Sequence, residues 1–263
     1  MSEKNKIILQ GIKFDEKSSF LRGPAKAPAI IRKALYSDSS NMAAEDGTII
    51  TNTLFIDKGD FEIGDYFEIE TITKTNLDLG GKMLTLGGDH SITFPLIKAH
   101  QEVYPKLDIL HIDAHSDLYD SFNGDKYSHA CPFARIMEQN LAARLVQVGI
   151  RTLNTHQSEQ AEKYGVEIHQ MRNLDLTKIK SFKNPLYISL DMDAFDPAFA
   201  PGVSHIEPGG LSSRQVLGLI QNLDAEVVGA DIVEYNPTRD FQEITAYLAA
   251  KSMKEMVSKM MHS

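Results

Sequence analysis

The sequence predicts an α/β protein built on a parallel sheet with helices on both faces. Short apolar runs recur along all 263 residues, they alternate with segments of helical periodicity, and polar side chains collect where several runs end. Such runs are typical of strands buried on both faces, and strand–helix alternation is typical of parallel sheets. Because no Gly/Ser-rich linker or internal repeat interrupts the pattern, we predict a single domain over residues 1–263.

Seven apolar runs are predicted to be strands because each is too short for a typical helix. They cover residues 6–12, 54–60, 82–87, 107–112, 144–151, 186–190 and 227–233. Four of the helical segments between and after them are clearest, at residues 27–35, 132–143, 212–223 and 243–261. The last of these carries apolar residues along one face, which predicts packing against the core or another subunit.

Composition excludes several classes of protein. Hydrophobic residues make up 42% and charged residues 24%, the balance of a folded soluble chain. A net charge of −9 disfavours nucleic acid as a partner and favours a cationic small substrate. The single cysteine, Cys131, excludes intrachain disulfides and multi-cysteine metal sites. No run approaches the ~18 apolar residues of a membrane span, and the N-terminus does not resemble a secretory signal, so we expect a cytoplasmic protein.

Acidic and histidine side chains follow four of the predicted strands. They are Asp89 and His90 after residues 82–87, Asp113, His115 and Asp117 after residues 107–112, Asp191 and Asp193 after residues 186–190, and Glu234 after residues 227–233. In parallel sheets, ligands bind outside the carboxyl ends of the strands. One such residue would be explained as a helix cap, but a buried group of carboxylates is costly unless a cation neutralises it. The sequence therefore predicts a metal site at this edge.

The number of polar side chains predicts two ions. In an extended segment, alternate residues lie on the same face. Asp113, His115 and Asp117 would therefore share one face, and so would Asp191 and Asp193. The predicted ligands are four carboxylates and two imidazoles: His90, Asp113, His115, Asp117, Asp191 and Asp193. Mostly oxygen ligands with one imidazole per ion favour Mn²⁺ over Zn²⁺ and leave Fe²⁺, Co²⁺ and Ni²⁺ open. A hydroxide between the ions would make the cluster negative, which again favours a cationic substrate.

Four motifs carry a resemblance to a known family. They are LGGDHS at 86–91, HIDAHSD at 111–117, SLDMDAFDP at 189–197 and DIVEYNP at 231–237. Together they resemble the ureohydrolases, the family of arginases and agmatinases, and the chain is most similar to plant-type arginases and the agmatinases beside them. The resemblance implies a three-layer α/β/α sandwich around a parallel sheet of about eight strands. It also implies two Mn²⁺ ions per chain and a homotrimer or homohexamer.

The resemblance further implies a role for each site residue. One ion would be held by His90, Asp113, Asp117 and Asp191, and the other by Asp113, His115, Asp191 and Asp193. Asp117 would also steer the hydroxide that attacks the guanidinium carbon, and Asp89 would orient ligands. His129 matches the family's proton-shuttle histidine, which protonates the leaving amine. Glu234 matches the carboxylate that pairs with the guanidinium.

The motifs constrain the tail of the substrate less than its guanidino group. In animal-type arginases a loop after the fifth predicted strand carries carboxylates for the α-ammonium, whereas here Asn154 and Gln157 are neutral. We expect Asn154 to face the tail, and this departure favours agmatine, hydrolysed to putrescine and urea. Arginine, hydrolysed to ornithine and urea, is the alternative, followed by guanidinobutyrate and formiminoglutamate.

The sequence leaves one alternative function and the roles of some residues open. A non-catalytic relative that binds a guanidino metabolite or pairs with another subunit is an alternative of a different class, although the intact ligand set disfavours it. His111 has no recognisable partner pattern, and His205 is assigned neither to the mouth of the site nor to the surface. Cys131, two residues from His129, is predicted to be a small buried hydrophobe rather than a nucleophile.

Overall fold

The computed structural model describes residues 6–179 and 181–263. Its described part contains a single parallel sheet of eight strands. The strands are β1 (Ile7–Lys13), β2 (Phe55–Glu62), β3 (Lys82–Leu86), β4 (Asp108–Ile112), β5 (Arg144–Ile150), β6 (Glu167–Gln170), β7 (Leu186–Asp191) and β8 (Val227–Val233). The helices are α1 (Ala27–Leu35), α2 (Glu68–Leu77), α3 (Thr93–Val103), α4 (Pro132–Glu138), α5 (Thr155–Tyr164), α6 (Ser213–Gln221) and α7 (Ile244–His262).

The strand order is β2-β1-β3-β8-β7-β4-β5-β6. The chain places β4 away from β3 and later returns to fill the space between them with β7 and β8. The four strands that end in the predicted site residues are therefore the four consecutive central strands, β3, β8, β7 and β4. This order brings side chains that are up to about 150 positions apart in the chain to one edge of the sheet.

Helices cover both faces of the sheet and make the fold a three-layer α/β/α sandwich, as predicted. Helices α1, α6 and α7 pack together on one face, and α2, α3, α4 and α5 form a continuous layer on the other. Strands β4, β7 and β8 are buried along their whole length, which agrees with their nearly continuous apolar sequences. Within the described ranges, no helix has the length and apolar character that crossing a membrane would require.

All seven predicted strands are confirmed to within about two residues. The eighth strand, β6, is only four residues long and partly exposed at the edge of the sheet, and its sequence EIHQ lacks an apolar run. The predicted helix 132–143 ends earlier, at Glu138. The chain turns out of the helix at Asn140, whose φ of 55° lies in the left-handed region.

A glycine pair lets three strand ends meet. A Cβ atom on Gly88 would lie 1.7 Å from the carbonyl oxygen of Phe14, which follows β1. The same segment bonds to both neighbours through the main chain, since Asp89 N donates to Phe14 O (2.9 Å) and Glu234 N donates to Gly88 O (2.9 Å). Only a residue without a Cβ allows this approach, which sets the position of His90 against Glu234.

We expect Gly88→Ala to destabilise the protein by roughly 1–3 kcal/mol, because its Cβ overlaps backbone that has no space to move. Gly218→Ala, in α6, is the matched control, since nothing lies within 4 Å of its Cβ position. That change should instead stabilise by roughly 0.5–1 kcal/mol, because alanine loses less entropy in a helix than glycine. Denaturant unfolding of both variants measures the difference, and equal stabilities would contradict the close approach.

Candidate metal centre and active site

The fold brings the six predicted metal ligands together. His90 begins a short 3₁₀ turn (His90–Ile92) after β3, three ligands follow β4, and the last two lie at the end of β7 and in the turn after it. Five of the six side chains are buried, and only His115 is partly exposed. Their assignment as ligands remains a prediction, but their convergence is a property of the fold.

His90 lies at the centre of the carboxylates. Its Nδ1 atom is 3.1 Å from an oxygen of each of three carboxylates, those of Asp113, Asp117 and Asp191. His115 Nδ1 lies 3.0 Å from Asp193 and 3.5 Å from Asp113. Asp113 therefore contacts both imidazoles, the position expected of a carboxylate shared by two ions. Neighbouring ligand atoms around one ion with bonds of ~2.2 Å are about 3 Å apart, so the observed spacing fits.

Hydrogen bonds fix which nitrogen of His90 faces this cluster. Ser189 Oγ lies 3.0 Å from His90 Nε2 and donates its only hydrogen to Asp231 (2.7 Å). Asp231 is also bonded by the hydroxyls of Thr93 and Tyr187, so it is held as an acceptor. Ser189 must therefore accept from Nε2–H, which leaves a bare lone pair on Nδ1, an atom that has no hydrogen-bond partner.

The negative charge of the buried carboxylates favours a bound cation. Burial opposes protonation of His90, yet the three carboxylates around it raise its pKa well above the ordinary value. Burial, with the charges of Asp193 and Asp113, raises the pKa of Asp191 well above its ordinary value. Both shifts reflect negative charge crowded around buried atoms. Carboxylate oxygens together with an imidazole nitrogen that has a free lone pair are typical ligands of a divalent ion. The residues therefore fit a metal site.

His111 is a functional candidate that the sequence analysis did not assign. Its Nε2 atom lies 2.7 Å from Asp113, and the amide nitrogen of Gln147 donates to its Nδ1 (3.0 Å). Because that nitrogen also donates to Ser116 O, His111 Nδ1 must be the acceptor and its Nε2–H is aimed at Asp113. The position of His111 within an otherwise apolar strand is the signal in the sequence that it has a special role. Its pairing with Gln147 on β5 cannot be recognised from the sequence alone.

Glu234 and His129 form a second pair beside the cluster. Glu234 accepts a hydrogen bond from His90 N (2.8 Å) and lies 3.3 Å from His129 Nδ1. Burial alone would lower the pKa of His129, but Glu234, assisted by Asp117 and Asp89, raises it to about 9. This shift favours the protonated form of the His129 imidazole near neutral pH. Its other nitrogen lies 2.8 Å from Ser19 Oγ, and the ring of His205 stacks on it with centroids 5.1 Å apart.

Two predicted site residues have strained backbones. Asp117 has a φ of 49° and Glu234 a φ of 61°, in the left-handed region that costs a non-glycine residue roughly 1–3 kcal/mol. Such strain is retained where the surrounding structure imposes it, and it is frequent at functional sites. At Glu234 the hydrogen bond to Gly88 O imposes it and turns the carboxylate towards the metal ligands.

A cavity of ≈ 200 Å³ opens above these residues. It is lined by Ser19, His115, Asp117, Tyr119, Phe122, His129, Ala130, Thr152, Gln157, Asp191, Asp193, His205, Glu207 and Glu234. His205 thus lies at the mouth of the site. Cys131 is buried outside the lining, and burial raises the pKa of its thiol to about 12, in agreement with a packing role.

Asn154 is placed differently from the prediction that it faces the substrate tail. It caps α5, with its side-chain oxygen accepting from Gln157 N (2.9 Å) and its amide nitrogen donating to Tyr119 OH (2.6 Å). Both ends of its amide are therefore bonded within the protein, and it is not among the residues that line the cavity. Capping explains the choice of residue, because asparagine is among the preferred helix N-caps.

Comparison with known proteins identifies the family of this chain. The Arginase family model matches residues 5–258. The chain belongs to the arginase family. It is 44% identical over 273 residues to "Arginase 1, mitochondrial" of Arabidopsis thaliana, which covers 95% of this chain and 80% of that protein. The solved arginase from Medicago truncatula is similar with a TM-score of 0.91 and 43% identity, covering 97% of this chain and 87% of that chain.

The family also contains relatives with other substrates. This arginase-family chain is 43% identical over 180 residues to N(1)-aminopropylagmatine ureohydrolase of Thermus thermophilus, covering 65% of this chain and 61% of that protein. Membership confirms the predicted reaction class, a hydrolase that cleaves guanidino C–N bonds. Among the predicted substrates, the similarity favours arginine over agmatine, the reverse of the order expected from the sequence.

The expected cytoplasmic location is wrong. The relatives from Arabidopsis thaliana and Medicago truncatula are named mitochondrial, and a second Arabidopsis relative is named chloroplastic/mitochondrial. The expectation rests on one cysteine, on the lack of a long apolar run and on an N-terminus unlike a secretory signal. Those features concern disulfide chemistry, membrane insertion and secretion, and none of them distinguishes the cytoplasm from the interior of a mitochondrion or chloroplast.

We expect Asp191→Ala to lose both ions, because it removes a carboxylate that contacts His90 and lies beside Asp113 and Asp193. His90→Ala should weaken mainly one ion. Metal analysis of dialysed protein measures the metal-to-chain ratio, with Asp78→Ala, an exposed carboxylate at the end of α2, as the control. A ratio of two in Asp191→Ala would contradict the shared site.

Proposed function

We propose that this protein is an arginase that hydrolyses L-arginine to L-ornithine and urea with two Mn²⁺ ions per chain. The observation that carries the proposal is the position of Glu234. It is a buried carboxylate in the cavity wall that contacts both His90 N and the His129 imidazole. A planar carboxylate in this position suits a planar guanidinium held over the metal ligands. The similarity to plant arginases over nearly the whole chain supports arginine as the substrate.

Neutral residues on the loop before α5 do not argue against arginine. Agmatine keeps the amine of arginine and lacks only its carboxylate, so both substrates carry an ammonium at the same end. The replacement of loop carboxylates by Asn154 and Gln157 therefore does not distinguish them. In the structure these two residues form a capping box, in which each side chain bonds the other's main chain.

The six converging residues would hold the two ions, with Asp113 and Asp191 shared between them. When bound, such ions lower the pKa of a water molecule so that hydroxide is available near neutral pH. Four carboxylates balance the charge of two divalent ions. The predominance of oxygen ligands favours Mn²⁺, and the same donors also accept Fe²⁺, Co²⁺ or Ni²⁺.

Three side chains of the cavity have separate roles in the reaction. Glu234 orients the guanidinium and stabilises its charge, since it is held as an acceptor by two donors of its own. Asp117 presents a carboxylate to the same cavity and would accept a hydrogen bond from the attacking group. His129, whose pKa is raised to about 9 chiefly by Glu234, would deliver the proton that the leaving amine needs from Nδ1, the nitrogen that faces Glu234.

Agmatine is the second candidate substrate. The relative from Thermus thermophilus is named as a ureohydrolase of N(1)-aminopropylagmatine, which shares the guanidino group and an amine with agmatine. The alignment covers a smaller part of the chain than those with arginases, so arginine ranks first. We further propose a homotrimer or homohexamer, which size-exclusion chromatography with light scattering would measure.

Product release from a substrate panel tests the function. Mn²⁺-loaded protein is assayed for urea from L-arginine, agmatine and 4-guanidinobutanoate, and for formamide from formiminoglutamate. We expect the highest kcat/KM with L-arginine and loss of turnover after chelation. A higher kcat/KM with agmatine would overturn the choice of arginine, and no turnover of any compound would overturn the ureohydrolase mechanism.

Glu234→Gln keeps the shape of the side chain and removes its charge. Breaking a buried, hydrogen-bonded charge pair costs roughly 2–5 kcal/mol, and tenfold corresponds to about 1.4 kcal/mol. We therefore expect kcat/KM to fall at least about thirtyfold for arginine and agmatine alike, because both present the same guanidinium. Metal content should stay near two ions per chain, and unchanged kinetics would show that another group holds the guanidinium.

His129→Asn should lower kcat by roughly 10²-fold or more, the scale of a positioned acid or base, while KM changes little. The matched control is His169→Asn on β6, which is remote from the cavity lining. Steady-state kinetics on the preferred substrate measure both variants. A kcat within twofold of the parent in His129→Asn would remove the proton-transfer role.

A further inference from the structure

Glu207 places an unassigned carboxylate in the cavity wall. Among the described residues that line the cavity, it is the one carboxylate outside the predicted metal ligands and Glu234. It belongs to the loop between β7 and α6, and its side chain is 40% exposed. Its Oε1 atom lies 4.0 Å from His115 Nε2, which places it at the rim of the metal cluster and beyond hydrogen-bond distance.

The main chain of Glu207 is anchored while its side chain stays available. Arg151 donates from Nε to Glu207 O (3.0 Å) and also donates to Asp193 O (2.7 Å), which ties the loop to the turn that carries a predicted ligand. The Arg151 guanidinium is used on main-chain carbonyls. In the described part of the chain, no lysine or arginine forms a salt bridge with the Glu207 carboxylate.

We propose that Glu207 is a specificity-determining residue that binds the ammonium at the tail of the substrate. The inference rests on the proposed function in one respect, namely that the guanidino end sits between Glu234 and the metal ligands. The tail must then extend towards the mouth. Among the other residues that line the cavity, Ser19, Tyr119, Thr152 and Gln157 carry no charge.

The chemistry of the tail selects among guanidino compounds. Arginine and agmatine both carry an ammonium there, and a carboxylate at a fixed position attracts it. n-Butylguanidine has the same four-carbon chain without the ammonium, so it gains nothing from Glu207. 4-Guanidinobutanoate has a carboxylate there and is repelled. Glu207 thus supplies, from a different loop, the negative charge that is missing at Asn154 and Gln157.

The experiment compares Glu207→Gln and Glu207→Lys with the parent protein, all loaded with Mn²⁺. We expect Glu207→Gln to lower kcat/KM for arginine and agmatine by about fivefold, the scale of a partly exposed charge pair. The inhibition constant of n-butylguanidine should change less than twofold. Glu207→Lys should shift the preference between agmatine and 4-guanidinobutanoate towards the latter, measured as the ratio of the two specificity constants. Glu159→Gln, an exposed carboxylate on α5, controls for the loss of one negative charge.

Two results would overturn the proposal. Equal weakening of n-butylguanidine and agmatine in Glu207→Gln would show that the tail ammonium is not what Glu207 recognises. A fall in bound Mn²⁺ in that variant would show that Glu207 acts on His115 instead. These results are distinct from a failure of the proposed function. If the parent protein hydrolyses agmatine and not arginine, the arginase proposal fails, but the comparison of agmatine with n-butylguanidine still tests the role of Glu207.

Discussion

The rest of the site depends on one constraint, which is the burial of four carboxylates around two imidazoles. Three of them lie 3.1 Å from one imidazole nitrogen, His90 Nδ1, which has no proton of its own to offer when Ser189 holds the other nitrogen. Such a group is stable only with positive charge in its midst. The two divalent ions that we propose would supply that charge, and a cationic substrate would complete it.

The surrounding fold holds these groups against their mutual repulsion. The main chain of Gly88 passes against Phe14 O where no side chain fits, and it bonds Glu234 in a left-handed conformation. Below the cluster, His111 and Ser189 fix the orientation of a carboxylate and an imidazole. Ligands oriented in this way lose less freedom when an ion binds, which is why residues that do not touch the ion affect its affinity.

The mouth of the cavity is built from segments that lie far apart in the sequence. The segment after β1 brings Ser19 to His129, and it is tied to the loop after β7 because Ser204 Oγ donates to Leu21 O (2.9 Å). That second loop carries both His205 and Glu207. The proposed proton carrier, His129, and the proposed tail contact are therefore linked through one pair of loops, whereas the predicted metal ligands lie at the ends of strands and in the turns after them.

The sequence by itself determined the parallel sheet and the polar residues at its carboxyl edge. Both follow from local pattern, because a buried strand must be apolar along its length and the residue after it is free to be charged. The short edge strand β6 was not predicted because it has no apolar run, and the early end of α4 depended on a left-handed turn at Asn140. The neutral charge of Asn154 favours agmatine only if its side chain faces the substrate tail, whereas the side chain caps α5.

Only the tertiary structure decided which of these residues meet and which atom of each is presented. The order β3-β8-β7-β4 places the four strand ends side by side, and the chain reaches that order only after β7 and β8 return between β3 and β4. The nitrogen that His90 presents to the carboxylates depends on three hydroxyls from two elements, α3 and β7, that bond Asp231. Glu207 reaches the cavity because Arg151 anchors its loop. These contacts join residues far apart in sequence, and no local pattern records them.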